Sequence, residues 1–391
     1  MSDRATVRIT RKGADRVASG HPWVFRGDVA DPAKPTPGSV VTVADHRGRA
    51  LGTAHFSSTS QITLRFLSDR VEPIDAAFFR RRIEAAAGHR ARVVQGSEAY
   101  RLVHAEADLL PALIVDRYRD SFVLQTLNQG MDAAKAVIAG CLAEMFSPSV
   151  IVERNDAAVR GLESLPLQKG VISGELPAEV AVVMNGLRFH ANLMDGQKTG
   201  IFLDQRENYL AAAAAGRGGP ALDCFTCTGG FAMHLAAVCG SVEAVDSSAT
   251  ALALARRNCA ANGIANVTFR EADVFDLLGG YVSARRNFST VVLDPPAFAK
   301  SRNSRESALR AYKEINLRAL RLLESGGILV TCSCSHHIPE SDLLEAVAAA
   351  AIDSGRRLRV LDRRTQSADH PILLTVPETH YLKCLILQVL C

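Results

Sequence analysis

From Ala5 to Leu67 apolar and polar residues alternate in short runs, at 7–10, 39–45, 48–56 and 61–67, and a period of two predicts β-strands. Pro32, Pro35, Pro37 and Gly38 cannot continue a central strand or helix, so they mark a loop between the first two groups. The period then lengthens. Over 75–95, Phe78, Ile83 and Ala87 share one side of a predicted helix and arginines take the other. Runs at 109–116 and 121–128 read as a hairpin around the polar turn 117–120, and 133–146 has amphipathic helical spacing. Strands at 180–184 and 187–193 flank Asn185-Gly186, the dipeptide that most favours a type I′ turn.

Beyond Gln205 the rhythm changes to alternating strands and helices. Nearly continuous apolar strands at 221–225, 242–246, 267–273, 289–293 and 326–335 are separated by helical stretches, including 231–239, 249–263 and a long charged one after 300. Such strands, joined by helices, indicate a parallel sheet covered on both faces. The alanine run 211–215 reads as a helix end. The expected class is therefore α/β, with a doubly wound C-terminal domain over 191–391, a central α/β domain over 74–190 and a small, mostly β module over 1–73.

A chain of 391 residues exceeds what one core usually organises, which agrees with that division. No apolar run reaches the roughly 18–20 residues that span a bilayer, and the polar N-terminus lacks the apolar centre of an export signal, so a cytoplasmic protein without a membrane partner is expected. Nine cysteines are too few for a disulfide scaffold, which leaves thiol chemistry open. The net charge of +4 hides an asymmetry: residues 1–95 carry 16 lysines and arginines against 9 aspartates and glutamates. That surplus suits a polyanion such as RNA, and equally a solvated surface.

Candidate chemistry lies where strands end. The first junction, 223–231, sets Asp223 at a strand end, then Phe225, Thr228, Gly229 and Gly230 before a helix. Ligands of open α/β sheets bind at such carboxyl ends, and a helix N-terminus offers N–H donors. Neither a G-x-G-x-x-G pattern nor a P-loop lysine is present, which disfavours a dinucleotide or phosphate loop. Asp246 ends the second strand, where an acid can bind both ribose hydroxyls, and Asp273 ends the third, where it can accept from the adenine amine. Each acid alone could be a helix cap; the set points to an adenosyl cofactor.

The fourth strand ends in Leu293-Asp294-Pro295-Pro296, whose prolines hold the chain extended and aim Asp294 at the site, with Phe298 placed to stack on a flipped base. Lys300, Arg302, Arg305, Arg310 and Lys313 follow, and read either as phosphate contacts or as a solvated helix face. The fifth strand ends in Thr331-Cys332-Ser333-Cys334-Ser335-His336-His337. A thiolate there suits methylation at carbon 5 of a pyrimidine, a poor nucleophile until sulfur adds at carbon 6. Cys224-x-x-Cys227 and Cys332-x-Cys334 also have spacing that permits zinc, a reading opposed by the position of the first pair across a cofactor loop.

With these motifs in view, the chain resembles the RlmI-type family of class I methyltransferases of large-subunit ribosomal RNA, over nearly its full length. The resemblance rests on 196–208, 223–231, 293–301, 331–337 and 370–383. It implies a PUA domain that binds RNA, a Rossmann-like catalytic domain using S-adenosyl-L-methionine, a 23S ribosomal RNA substrate and a homodimer, with no metal. It further implies that Gln197, Lys198, Asp204 and Arg206 approach the methionine end of the cofactor, and that Cys334 is the nucleophile of 5-methylcytosine formation with Asp294 beside the base. Cys227 departs from the family pattern. Two rivals stay open: methylation of a guanine amine, with Cys334 incidental, and a non-catalytic RNA-binding scaffold. The residue that removes the carbon 5 proton is also open among His336, His337, His370 and Glu378.

Overall fold

The computed structural model of the protein describes residues 4–30, 35–299 and 302–390. By contact the chain divides into two units. One comprises Met1–Val183, Ala191–Ile201 and Ala368–Thr379; the other comprises Met184–His190, Phe202–Ser367 and His380–Cys391.

In the first unit the alternating runs form a sheet of strands β1 (Thr6–Arg8), β2 (Trp23–Phe25), β3 (Val40–Ala44), β4 (Ala50–Phe56) and β5 (Ile62–Ser68), in the order β1-β3-β4-β5-β2. Val7, Val24, Val41, Val43, Ala54 and Leu64 close its core. The apolar pattern missed helix α1 (Arg11–Ala18) and β2. Helix α1 is arginine- and lysine-rich and buries only Gly13, and its start depends on a cap: Thr10 Oγ1 accepts from Gly13 N at 3.2 Å. Pro32 lies outside the described residues.

Helix α2 (Ala76–Val93) is capped by Asp75 and buries Phe78, Phe79 and Ile83. One arginine departs from the expected solvated face. Arg90 is buried, donating to the carbonyls of Arg101 and Asp369 and pairing with Asp108 at 2.5 Å, so its charge is fully engaged. Strands β6 (Ala99–His104), β7 (Leu113–Tyr118), β8 (Ser121–Thr126), β9 (Val150–Asn155) and β10 (Gln168–Gly174) make a second sheet, in the order β10-β9-β8-β7-β6. The β7–β8 turn is tighter than the expected 117–120. Arg117 and Tyr118 remain in the strand, and Arg119 takes φ 59°. The expected helix at 133–146 is two, α3 (Gln129–Ala133) and α4 (Lys135–Phe146), and this crossover lets β9 run parallel to β8. Hairpin β11 (Val180–Met184) and β12 (Leu187–Ala191) turns through Asn185 at φ 55° and Gly186 at φ 80°, both left-handed as a type I′ turn requires.

The second unit is the doubly wound domain. Its elements run α5 (Arg206–Ala215), β13 (Pro220–Cys224), α6 (Gly230–Leu235), β14 (Ser241–Asp246), α7 (Ala249–Ala261), β15 (Val267–Glu271), α8 (Val274–Ser283), β16 (Phe288–Leu293), α9 (Arg305–Leu322), β17 (Leu323–Ser333), α10 (Glu340–Ser354), β18 (Leu358–Arg364) and β19 (Lys383–Val389). The sheet order is β15-β14-β13-β16-β17-β19-β18, with β19 antiparallel to both neighbours and the other pairs parallel. Leu222, Val245, Val291, Leu293 and Leu329 are fully buried, as strands covered on both faces must be. Strand order reverses between β13 and β16, and a crevice opens where connections leave in opposite directions.

Candidate active site

Two strand ends meet at that reversal. Asp223 is fully buried near the end of β13; its Oδ2 accepts from Thr226 Oγ1 at 2.6 Å and from Ala232 N at 2.9 Å. The N–H of Ala232, in the first turn of α6, is thus spent inside the protein and is not a ligand donor. Asp223 Oδ1 is buried with no hydrogen-bond partner. Burial raises its proton affinity to about 7; the Thr226 hydroxyl and the Ala232 N–H pull it down, and the charges of Asp294 and Asp246 push it up. A bound donor or cation is what this oxygen lacks.

The following loop wraps tightly. Phe225 and Cys227 are left-handed at φ 63° and 49°, conformations that cost a side-chain-bearing residue about 1 kcal/mol each. Gly229 takes φ 86°, and a Cβ on Gly230 would lie 2.3 Å from Tyr209 Cζ, so Gly230 admits the Tyr209 ring. Thr228 is buried, and its carbonyl accepts from Asn258 Nδ2 at 3.0 Å. Asp246 accepts from Cys227 N and Ser248 N, each at 2.9 Å, and each of its oxygens keeps a further lone pair. Asp273 caps α8 through Oδ1, accepting from Asp276 N, so the cap reading accounts for that oxygen.

Asp294 is half-buried just past β16, and its N–H donates to the Cys224 carbonyl at 3.4 Å. Its charge also acts on Tyr209 and Tyr312, whose hydroxyls burial already holds above the usual range. Phe298 packs between Phe275 and Tyr312, with ring centroids 5.9 and 4.8 Å away, so part of its expected stacking surface is occupied by protein. Of the basic stretch, Lys300 and the side chain of Arg302 lie outside the described residues. Arg305 pairs with Asp342 at 2.6 Å and Lys313 with Asp353 at 2.7 Å, which favours the helix-face reading for these two.

The cysteines at the end of β17 differ sharply. Cys332 is fully buried opposite Cys384 of β19, and its thiol is pushed well above the ordinary range by burial and by that neighbour. Cys334 is half-buried between two tethered serines. Ser335 Oγ lies 3.2 Å from Tyr312 Oη and accepts from Ala299 N at 3.3 Å, which ties the Asp294 loop to the Cys334 loop. Two participants escaped the sequence reading. Lys383, at the start of β19, is buried, and its Nζ donates to the carbonyls of Ser335 at 2.7 Å and Tyr381 at 2.8 Å. Tyr381 Oη in turn donates to Asp204 Oδ2 at 2.7 Å, while its ring centroid stands 5.7 Å from that of His336. A lysine opening the apolar run 384–387 was the available signal; its pairing across about 50 residues was not legible.

Asp204 and Arg206 are both buried in this unit, with Arg206 opening α5 and its carbonyl accepting from Asn185 Nδ2 at 2.8 Å. Gln197 and Lys198 belong to the first unit, exposed on a turn in which Lys198 takes φ 53° and Thr199 donates to Asp116 Oδ2 at 2.6 Å. There too lies His370, buried beside Asp369, with its ring centroid 5.2 Å from that of His104. Among the described residues, no group of three or more His, Cys, Asp or Glu side chains could hold a metal ion, and no helix is long and apolar enough to cross a membrane.

Comparison with known proteins agrees with this architecture. Residues 7–69 match the PUA-like domain family, and 168–382 match the S-adenosylmethionine-dependent methyltransferase family. Ribosomal RNA large subunit methyltransferase I of Shewanella denitrificans is 42% identical, covering 98% of this chain and 99% of its own. The protein of the same name from Klebsiella pneumoniae is 39% identical, covering 98% of each. The solved structure of SMU.776 complexed with SAH superposes with a TM-score of 0.86 at 20% identity, covering 98% of this chain and 100% of its own, a likeness of fold. The unpartnered Asp223 oxygen and the glycine-lined β13–α6 loop fit an adenosyl sulfonium, and S-adenosyl-L-methionine is the cofactor. The chain belongs to the S-adenosylmethionine-dependent methyltransferase family, within the group that contains the ribosomal RNA large subunit methyltransferase I proteins.

Proposed function

We propose that this enzyme methylates carbon 5 of a cytosine in 23S ribosomal RNA, in the cytoplasm, through a covalent adduct on Cys334. The observation that carries the reading is the half-buried Cys334 thiol, on a loop bonded directly to the loop that follows Asp294. Relatives named for large-subunit ribosomal RNA methylation support the RNA substrate. The division of labour would be RNA binding by 1–73, a central part over 74–190 and catalysis by 191–391, and the homodimer expected from the family is part of the proposal.

Asp223, Phe225, Thr228, Gly229, Gly230, Asp246, Asp273 and Asp294 would hold the cofactor, with Asp204 and Arg206 toward its methionine end. When bound, the cofactor supplies an electrophilic methyl group. Cys334 Sγ forms a bond to carbon 6, and the electron pair of the 5,6 double bond becomes available at carbon 5. Asp294 holds the ring through its exocyclic amine or ring nitrogen 3. After carbon 5 is alkylated, a base takes its proton, the pair returns to the 5,6 bond, and Sγ leaves as thiolate. His336, beside Tyr381, is a candidate base.

Nucleoside mass spectrometry of 23S RNA from cells with and without the gene tests this reading. Loss of one 5-methylcytidine is expected; loss of a methylguanosine would favour the amine-methylating rival. Cys334→Ala should lower turnover by at least about 10³-fold while cofactor binding persists. Unchanged turnover would remove the covalent route.

A further inference from the structure

Lys383 presents an imbalance that the reaction above does not use. Its side chain is buried, and its ammonium is held by two carbonyls, those of Ser335 and Tyr381. Carbonyls satisfy hydrogen bonds but do not neutralise a charge, and an ammonium out of water is costly unless an anion faces it. Among the described residues no carboxylate stands within ion-pair distance of its Nζ. The nearest acid in charge terms, Glu340 at the start of α10, is already paired with Arg363 at 2.5 Å. The other group whose charge acts on Lys383 is Cys334.

Backbone geometry explains the pairing. Strands β17 and β19 run antiparallel with Ser333 opposite Lys383, so the next residue after Ser333 is the cysteine. The Lys383 ammonium then anchors on the carbonyl of Ser335, one residue further. The lysine is thus fixed to the residue that follows the thiol-bearing one.

We propose that Lys383 is a positioning residue for Cys334, its buried ammonium acting as the counterion that keeps the sulfur ionised and ready to attack. The proposal rests on the reading of Cys334 as the nucleophile. On ionisation the thiol proton leaves to solvent, and Lys383 keeps its own. Coupling between two charges is reciprocal: a thiolate that strengthens the hold of Lys383 on its proton is itself stabilised by the ammonium to the same extent. Burial brings Lys383 down to about 8, and Cys334 and Glu340 oppose that fall, so near neutral pH the lysine is still mainly charged. The other titratable groups around the thiol are Asp294 beyond β16, Tyr312 of α9, Glu340 of α10, Tyr381 before β19, and His336 and His337 on the cysteine's own loop. Asp294 and Glu340, being negative, oppose ionisation of the sulfur, so the lysine must outweigh them.

The test is the pH dependence of Cys334 alkylation by iodoacetamide, followed on the full-length protein by peptide mass spectrometry. In the native chain the midpoint should fall below the ordinary thiol value of about 8.5. Lys383→Met should raise that midpoint by about one pH unit, slowing alkylation near pH 7 about tenfold, and Lys383→Arg should keep it low. A native midpoint at or above the ordinary value overturns the proposal even if the variants do not fold. So does an unshifted midpoint in a folded Lys383→Met. If the midpoints behave as expected but Cys334→Ala keeps its turnover, the ion pair stands and the covalent reading falls. If Cys334→Ala is inactive and the midpoints do not move, the covalent reading stands and the role of Lys383 falls.

Discussion

Asp223 at the end of β13 and Lys383 at the start of β19 are both buried ionisable groups in one sheet, and burial displaces them in opposite directions. Asp223 is raised to about 7, and Lys383 is lowered to about 8. Each is driven toward its neutral form because water is excluded and the hydrogen bonds it makes, accepted by the acid and donated by the lysine, are too few to replace solvation. They differ in what lies beside them. The acid faces further acids, Asp294 and Asp246, whereas the lysine faces a thiol that can become its counterion. A site for a cationic ligand and a site for an activated anion are thus made by the same physics with the sign reversed.

The largest expected break in that comparison comes from Asp223→Asn. It should cost about ten- to a hundredfold in S-adenosylmethionine affinity by calorimetry. In the native protein affinity should climb as pH rises toward 7, because binding a cation favours the ionised acid, and the variant should lose that slope. Stability supplies the complementary check. The folded chain keeps the Asp223 proton above the pH at which the unfolded chain releases it, so stability declines as pH rises from about 4 through 7, by on the order of 4 kcal/mol before relaxation. For Lys383 the sign is opposite: stability increases as pH rises from about 8 toward 10.5. Denaturant melts should show the first slope vanish in Asp223→Asn and the second in Lys383→Met.

A smaller effect is expected from Gly230→Ala, which adds no charge but drives a methyl group into the Tyr209 ring. The cost should be about 2 kcal/mol, read as a fall in Tm of about 4–8 °C. Smallest is Tyr381→Phe. It removes the hydroxyl that holds Asp204 yet keeps the carbonyl that holds Lys383, so a loss of about 1 kcal/mol should leave Cys334 alkylation unchanged. A shifted alkylation midpoint in that variant would show the two ends of the sheet to be coupled through Tyr381.

Much of this was legible because the parallel strands are continuous apolar runs: β13, β14, β16 and β17 emerged from their composition, and the acids stood at their ends. Asn185-Gly186 specified its turn through backbone conformations that few other residues tolerate. Most of what escaped was set by tertiary contact. Helix α1 is the exception, a short element that turns Gly13, Ala14 and Val17 inward, a helical spacing present in the sequence but masked by the neighbouring strand-like runs. Arg90 looked solvated until Asp108 and two distant carbonyls enclosed it. Cys332 and Cys334 are equivalent as text, since a strand's alternation would put both on one face; the end of β17 at Ser333 separates a core thiol from a half-buried one just beyond it. Lys383 gains its meaning only from antiparallel pairing with a strand some fifty residues earlier.

The path of the chain also constrains how the protein can be taken apart. It passes between its two units after Val183, His190, Ile201, Ser367 and Thr379. No single truncation can therefore isolate either unit: 184–391 holds all of the second together with two pieces of the first, and 1–183 lacks the two later pieces of the first. Deleting either half of this enzyme therefore leaves the first unit incomplete, and point substitution is the route by which its parts can be questioned separately.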